Sequence, residues 1–209
     1  MLRLYRAGAL GGFPAEPIYA EPMRIIAGEY RSRTLQAPAG MATRPTSDRL
    51  RETLFNVLSP RIEGANSLDL YAGSGAVGME ALSRGAAHVE FVERAEPALR
   101  VLRANLARLG LTAGFRIHAA GVSTVLRKMK PVAAFNVVFL DPPYDAAEEY
   151  AATLGLLGGA AAGLLADGAL VIAEHRKKER LDESYGALAR TRLLEQGDAA
   201  LSFYAATKK

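Results

Sequence analysis

The chain has no cysteine among its 209 residues. That excludes disulfides and thiolate metal sites, and it is compatible with a reducing compartment. Histidine is scarce too: His88, His118 and His175 lie far apart and show no metal-ligand spacing. No apolar run approaches the roughly 20 residues of a membrane-spanning helix. Excess charge is absent from most of the chain. The net charge is +4, and the stretch from Arg24 to Arg61 accounts for all of it. Seven arginines (24, 31, 33, 44, 49, 51 and 61) face only Glu29, Asp48 and Glu52 there. Arginine grips phosphate with a planar fork and stacks on bases, so this segment points to nucleic acid. A plain solvated face is the ordinary alternative for such a run. What the chain does have is hydrophobic residues, half of the total, enough for one domain with a sizeable core and a small appendage.

Residues 1–22 mix Gly, Pro and Ala without a sustained period and lack the apolar centre of a targeting segment. They read as a poorly ordered extension, or as the result of an upstream start, with Met23 the functional beginning. Residues 24–37 read as two short strands around a glycine turn. Leu50, Leu54, Val57 and Leu58 fall on one helical stripe that belongs to the core, with Thr46 or Ser47 as the cap and Pro60 as the end. Residues 23–61 thus read as a hairpin-and-helix appendage for nucleic acid, and residues 62–209 as the main domain. From residue 66 strands and helices alternate. Strands are expected at 67–71, 88–93, 115–118, 134–140 and 169–174, and helices at 76–84, 97–109, 121–129 and 146–157. A final pair of strands at 188–195 and 200–206 turns at Gln196-Gly197-Asp198. This pattern predicts an α/β fold: a mostly parallel, Rossmann-like sheet with helices on both faces and an antiparallel finish.

Two motifs carry chemistry. The first is Asp69-Leu70-Tyr71-Ala72-Gly73-Ser74-Gly75-Ala76-Val77-Gly78, a glycine loop between strand and helix, with Glu93 eighteen residues after Gly75. Glycines let backbone approach an adenosine cofactor, and the acid suits ribose hydroxyls. Asp69 separates the cofactors. A carboxylate there repels a pyrophosphate but favours the amino group and sulfonium of S-adenosylmethionine, so the methyl donor is preferred over NAD. Asp69 could instead simply order the loop. The second motif is Asp141-Pro142-Pro143-Tyr144, which follows the apolar run Val137–Leu140. Two prolines remove two N–H donors and leave carbonyls as acceptors. An acceptor pair, the Asp141 carboxylate and the Pro142 carbonyl, beside an aromatic face suits a flat base with an exocyclic amine. Tyr144 would stack on that base. A bare turn with a core tyrosine is the alternative.

Together these residues resemble the class I S-adenosylmethionine-dependent methyltransferases that modify amino groups. Arg24-Ile25-Ile26-Ala27-Gly28, Arg31-Ser32-Arg33 and the run Thr43–Asn56 are similar to the amino-terminal signature of bacterial 16S ribosomal RNA guanine-N2 methyltransferases. The resemblance spans about residues 23–207. It implies a seven-stranded sheet, and transfer to guanine N2 at position 966 of 16S rRNA within an assembled or partly assembled small subunit, by a cytoplasmic monomer. It also implies cofactor contacts from Asp69, Tyr71, Ala72, Gly73, Ser74, Gly75, Gly78, Glu93, Arg94 and Ala120. RNA contacts would come from Arg24, Arg31, Arg33, Arg44, Thr46, Arg49 and Arg51. The family's polar residue after the third strand, which reads the cofactor's adenine, is missing at Ala119-Ala120, leaving a backbone N–H or His118 for that task. Glu174-His175 and Arg176-Lys177-Lys178 are lesser candidates near the substrate. An adenine-N6 methyltransferase, a non-catalytic RNA-binding assembly factor and an NAD-dependent oxidoreductase are the competing functions.

Overall fold

A computed structural model describes residues 23–37, 48–131, 133–143 and 147–206. Residues 1–22, Arg44, Thr46 and Tyr144 lie outside the described residues. The elements are α1 (Asp48–Ile62), β1 (Asn66–Leu70), α2 (Ala76–Ser83), β2 (His88–Glu93), α3 (Glu96–Arg108), β3 (Phe115–Ala119), α4 (Val122–Lys128), β4 (Phe135–Leu140), α5 (Ala147–Leu157), β5 (Leu165–Arg176), β6 (Ser184–Tyr185), β7 (Leu188–Gln196) and β8 (Ala199–Ala206). They build one sheet in the order β3-β2-β1-β4-β5-β8-β7-β6. The first five strands run parallel, and β8, β7 and β6 join antiparallel. The chain lays strands outward in one direction from β1 and in the other from β4. The carboxyl ends of β1 and β4 therefore flank a crevice, where open α/β sheets bind ligands.

Alternation along the strands sorts residues to two cores. Val137, Phe139 and Ile172 pack with α1, α2 and α3, while Val138, Leu140 and Val171 pack with α4 and α5. Asp69 sits between Leu68 and Leu70, both on the α4–α5 side, and so falls on the opposite face. The expected α/β architecture with helices on both faces is present.

Four details differ from expectation. The sheet has eight strands because Ser184 and Tyr185 pair with Ala189 and Leu188; a two-residue strand has no period to read. β5 begins at Leu165, and its pairing with β4 jumps from Phe135–Leu165 to Val137–Leu170. The exposed Asp167 and Gly168 fall in that irregularity, Gly168 with φ 72°. Pro60 lies inside α1 rather than at its end. The N–H that proline lacks would have met the carbonyl of Asn56, an exposed residue, in the last turn, where the loss of one bond is tolerated.

Residues 24–37 do not form two strands. They make a single antiparallel bridge, Arg24 to Thr34, around turns with Gly28 at φ 85° and Ser32 at φ 66°. Ile25, Ser32 and Leu35 donate within residues 23–37, and several other donors are satisfied elsewhere. Ile26 and Ala27 donate to the Glu80 carboxylate at 2.7 and 3.0 Å, Tyr30 donates to Ser83 Oγ at 3.0 Å, and Gln36 donates to Asn105 Oδ1 at 2.8 Å. The segment is thus tied to α2 and α3 by buried side chains. Gly28 comes so close that a Cβ there would meet the Ser83 carbonyl. Met23, Ile25 and Leu35 enter the same core as α1 and the sheet.

Candidate active site

A cavity of about 510 Å³ opens at the carboxyl ends of β1, β2 and β4. Its floor includes Asp69, Phe139 and Asp141; the glycine loop forms one wall and the start of α4 another. Met23 and Ala37, the first and last described residues of the stretch before α1, line a third side. Four acids among the described residues line it, Asp69, Glu93, Asp141 and Glu149, against one base, Arg94. Among the described residues no cluster suits a metal ion.

The loop glycines divide their work. Gly73, at φ 55°, lines the cavity and donates its N–H to Glu93 Oε2 at 2.9 Å. Gly75 and Gly78 do not line it. A Cβ on Gly75 would sit 2.2 Å from Leu102 Cδ1, and one on Gly78 2.2 Å from the Phe91 ring. These two glycines let α2 lie against β2 and α3. Of the expected cofactor residues, Asp69, Tyr71, Ala72, Gly73, Ser74, Glu93, Arg94 and Ala120 face the cavity.

Asp69 is 4 % exposed and accepts the Gly78 N–H at 2.9 Å. It therefore orders the start of α2 as well as lining the cavity. Burial pushes its carboxyl up to about 8, with Glu93 adding to the rise and the Gly78 hydrogen bond opposing it. Glu93 accepts three backbone donors, from Gly73, Arg94 and Ala95. A carboxylate has about four acceptor sites, so one remains for a ligand hydroxyl. Tyr71 holds a left-handed backbone, φ 59°, unusual for a residue with a Cβ. Its hydroxyl donates to Glu149 Oε2 at 2.8 Å and lies 2.7 Å from Thr153 Oγ1, tying the loop to α5. Burial raises that phenol well above its ordinary range.

Asp141 and Pro142 follow β4 directly and line the cavity together with Pro143. The Asp141 carboxyl is pushed well above the usual carboxylate range by burial first, then by the negative charges of Glu174 and Asp69. Glu174 is 2 % exposed and lies outside the cavity lining.

Residues missed by sequence reasoning are Glu149 on α5 and Ser123 and Thr124 on α4. The signal for the last two was a pair of hydroxyls just after the third strand, next to the gap at Ala119-Ala120. They can serve an adenine where Ala119 cannot. His118 does not reach the cavity: its Nε2 lies 2.6 Å from Glu90 Oε2. His175 is also structural, buried with Nε2 2.9 Å from Ser202 Oγ, and burial lowers its proton affinity.

The arginines divide likewise. Arg24, Arg31, Arg33 and Arg49 are exposed, Arg24 with its Nε 3.3 Å from Asp48. Arg51 is the correction. It is fully buried, donates to the Arg24 carbonyl at 2.5 Å and to Asp48 Oδ1 at 2.8 Å, and lies 3.8 Å from Glu80. A guanidinium held inside by these partners cannot meet RNA phosphate. It lies off the apolar stripe, yet the amino-terminal segment covers it.

The chain matches the family described as conserved hypothetical protein 95 over residues 23–205. It is 42% identical over 154 residues to the ribosomal RNA small subunit methyltransferase D of Escherichia coli (strain K12), covering 73% of this chain and 74% of that protein. It is 37% identical over 183 residues to YlbH of Bacillus subtilis (strain 168), covering 87% and 98%. Among solved structures, the yhhF methyltransferase from Escherichia coli superposes with a TM-score of 0.75 at 35% identity, covering 88% of this chain and 97% of its own.

Proposed function

Because the chain belongs to the conserved hypothetical protein 95 family, and one relative in that comparison is named for small-subunit ribosomal RNA, we propose that it is an rRNA methyltransferase that uses S-adenosylmethionine. Its target is the exocyclic N2 of a guanine in 16S rRNA, position 966 by the resemblance noted above. The observation that carries this reading is one cavity lined by Asp141-Pro142 and by the Asp69 loop, from the adjacent ends of β4 and β1.

The residues present fit the methyl donor. Four acids against one arginine among the described lining residues suit a cationic ligand, whose charge would draw the retained protons off Asp69 and Asp141, and disfavour a pyrophosphate. When bound, S-adenosylmethionine supplies an electrophilic methyl on a sulfonium. Gly73 lets backbone approach, and Glu93 keeps an acceptor for a ribose hydroxyl. Ser123 and Thr124 bring hydroxyls to the adenine side.

The amino group of guanine is a poor nucleophile because its lone pair is delocalised into the ring. The Asp141 carboxylate and the Pro142 carbonyl accept its two hydrogens and localise that lone pair. Pro142 has no N–H to compete, and its fixed φ holds the carbonyl in place. Holding the amine in line with the methyl supplies much of the rate. As nitrogen gains the methyl it loses a proton. Asp141, with a raised proton affinity, sits where it can receive it. The exposed Arg24, Arg31, Arg33 and Arg49 grip phosphates of the RNA, so the base enters from an unpaired loop or leaves its stack.

The test offers labelled methyl donor with naked 16S rRNA, small subunits and DNA in parallel, followed by digestion to nucleosides. The expected product is N2-methylguanosine from rRNA or the small subunit. N6-methyladenosine as the sole product would replace this reading with the adenine one. RNA binding without any transfer would make the chain a non-catalytic assembly factor.

A further inference from the structure

Arg51 was expected on the RNA-binding surface, and its burial leaves a cation without a surface task. It is 0 % exposed, and two of its three nitrogens, Nε and Nη1, lack a hydrogen-bond partner. Burying such an ion is costly unless its charge is used. Its neighbourhood shows the use. Leu140 pairs with Ala173, so Asp141 and Glu174 are the next residues of adjacent parallel strands. Phe139 and Ile172, two residues before them, both pack on the side of α1. Asp69 falls on the same face at the end of β1. Three carboxyls therefore gather on the sheet face that α1 covers, and Arg51 is a buried residue of α1. The Glu174 charge is among those that favour the charged guanidinium, and it is also the leading charge acting on Asp141.

We propose that Arg51 and Glu174 are positioning residues for Asp141. Glu174 presents a second carboxyl beside it, and the buried guanidinium supplies the charge that keeps the pair ionised enough for Asp141 to accept the amino hydrogens of the substrate base. This rests on the transfer reaction proposed above. Two acids side by side in a low dielectric resist losing both protons. A fixed cation behind them lowers that resistance without entering the cavity or touching the ligand.

Other charges also face the pair. On the sheet these are Asp69, with Glu93 and Arg94 across the cavity; on α5 it is Glu149. Beside the guanidinium are Asp48 and Glu80, and Glu80 is itself bridged by Arg84 Nε at 2.7 Å. Asp48 and Glu80 pair with Arg51 at 2.8 and 3.8 Å, so they hold it in place. Glu174 links it to the site.

The experiment measures single-turnover methyl transfer by the full chain against pH, with cofactor saturating and the RNA substrate that the wild type methylates. Glu174→Gln removes the neighbouring negative charge, and the acid limb of its profile moves to lower pH by about one unit or more. Arg51→Gln moves the limb the opposite way, and Arg51→Lys returns it toward the wild type. Limbs that stay in place while overall activity falls show a merely structural role and overturn the proposal. If circular dichroism shows that the Arg51 variants do not fold, Glu174→Gln decides alone: a lowered limb supports the proposal and an unmoved limb overturns it. A wild type that methylates no RNA overturns the transfer reading, and this proposal with it. An active wild type with unmoved variant limbs overturns this proposal only.

Discussion

Replacing Asp69 with Asn should make the protein more stable and worse at binding its methyl donor. Asp69 is 4 % exposed, and its carboxyl is raised from 3.8 to about 8. A carboxyl whose folded value lies above its unfolded one favours the fold fully below pH 3.8. That contribution fades as pH rises through the unfolded value, and its loss is complete near the folded value of about 8. At pH 7 the burden is about 4 kcal/mol as an upper bound, from roughly 1.4 kcal/mol per unit of displacement. Asn carries no such burden and still offers an oxygen to the Gly78 N–H, though a neutral acceptor gives back about 1 kcal/mol. The net expectation at pH 7 is a gain of about 1–3 kcal/mol. The assay is urea unfolding of both proteins at several pH values, with calorimetric titration of S-adenosylmethionine alongside. The stability difference should vanish near pH 3 and grow steadily toward pH 8. Above pH 8, where Asp69 is ionised in the free protein, cofactor affinity should fall at least tenfold, because the variant offers a bound cation no charge. A stability difference flat with pH would refute the electrostatic account of Asp69. Unchanged cofactor affinity would refute its place in the methyl donor's site.

Three further outcomes are expected. Gly78→Ala puts a methyl 2.2 Å from the Phe91 ring and should cost about 1–3 kcal/mol in thermal or urea unfolding through overpacking. Replacing Arg31, Arg33 and Arg49 together with Gln should weaken rRNA binding and reduce its log–log salt slope by about 2, roughly 0.7 for each lost phosphate contact, with cofactor affinity untouched. Asp141→Ala should bind the cofactor normally yet lose about a hundredfold or more in single-turnover transfer, the usual scale for removing one positioned polar group in a transition state.

The reactive end of the site was legible because its information is local. A strand, an acid and two prolines are contiguous, so Asp141 and Pro142 could be placed from sequence alone, and so could the loop from Asp69 to Gly78. The separate tasks of its glycines could not. Gly75 and Gly78 are set by Leu102 and Phe91, on elements that only the tertiary fold brings near. The same cause explains the missing hairpin. Residues 24–37 have the composition of strands, but Glu80, Ser83 and Asn105 take up several of their donors, and those partners lie more than fifty residues away. Ser123 and Thr124 were passed over because the expected acid at Ala119-Ala120 drew attention to the strand rather than to the helix after it.

Arg51 shows why a charge count cannot assign a surface. Seven arginines in one segment looked like one interface, yet at least one of them is an internal ion. Its burial follows from a chain of needs. The irregular segment leaves the Ile26 and Ala27 N–H groups without a strand partner, and Glu80 accepts both. A carboxylate that is itself 0 % exposed then needs positive charge, and Arg84 and Arg51 supply it. On the proposal above, the cation that completes this anchor also acts on Glu174, whose charge acts on Asp141. Anchoring of the amino-terminal segment and charge balance at the candidate active site thus draw on one side chain. On that proposal the segment that carries the exposed Arg31 and Arg33 and the carboxyl that would receive the base are linked through Arg51. Loosening the segment should disturb transfer even where no residue in contact with substrate has changed.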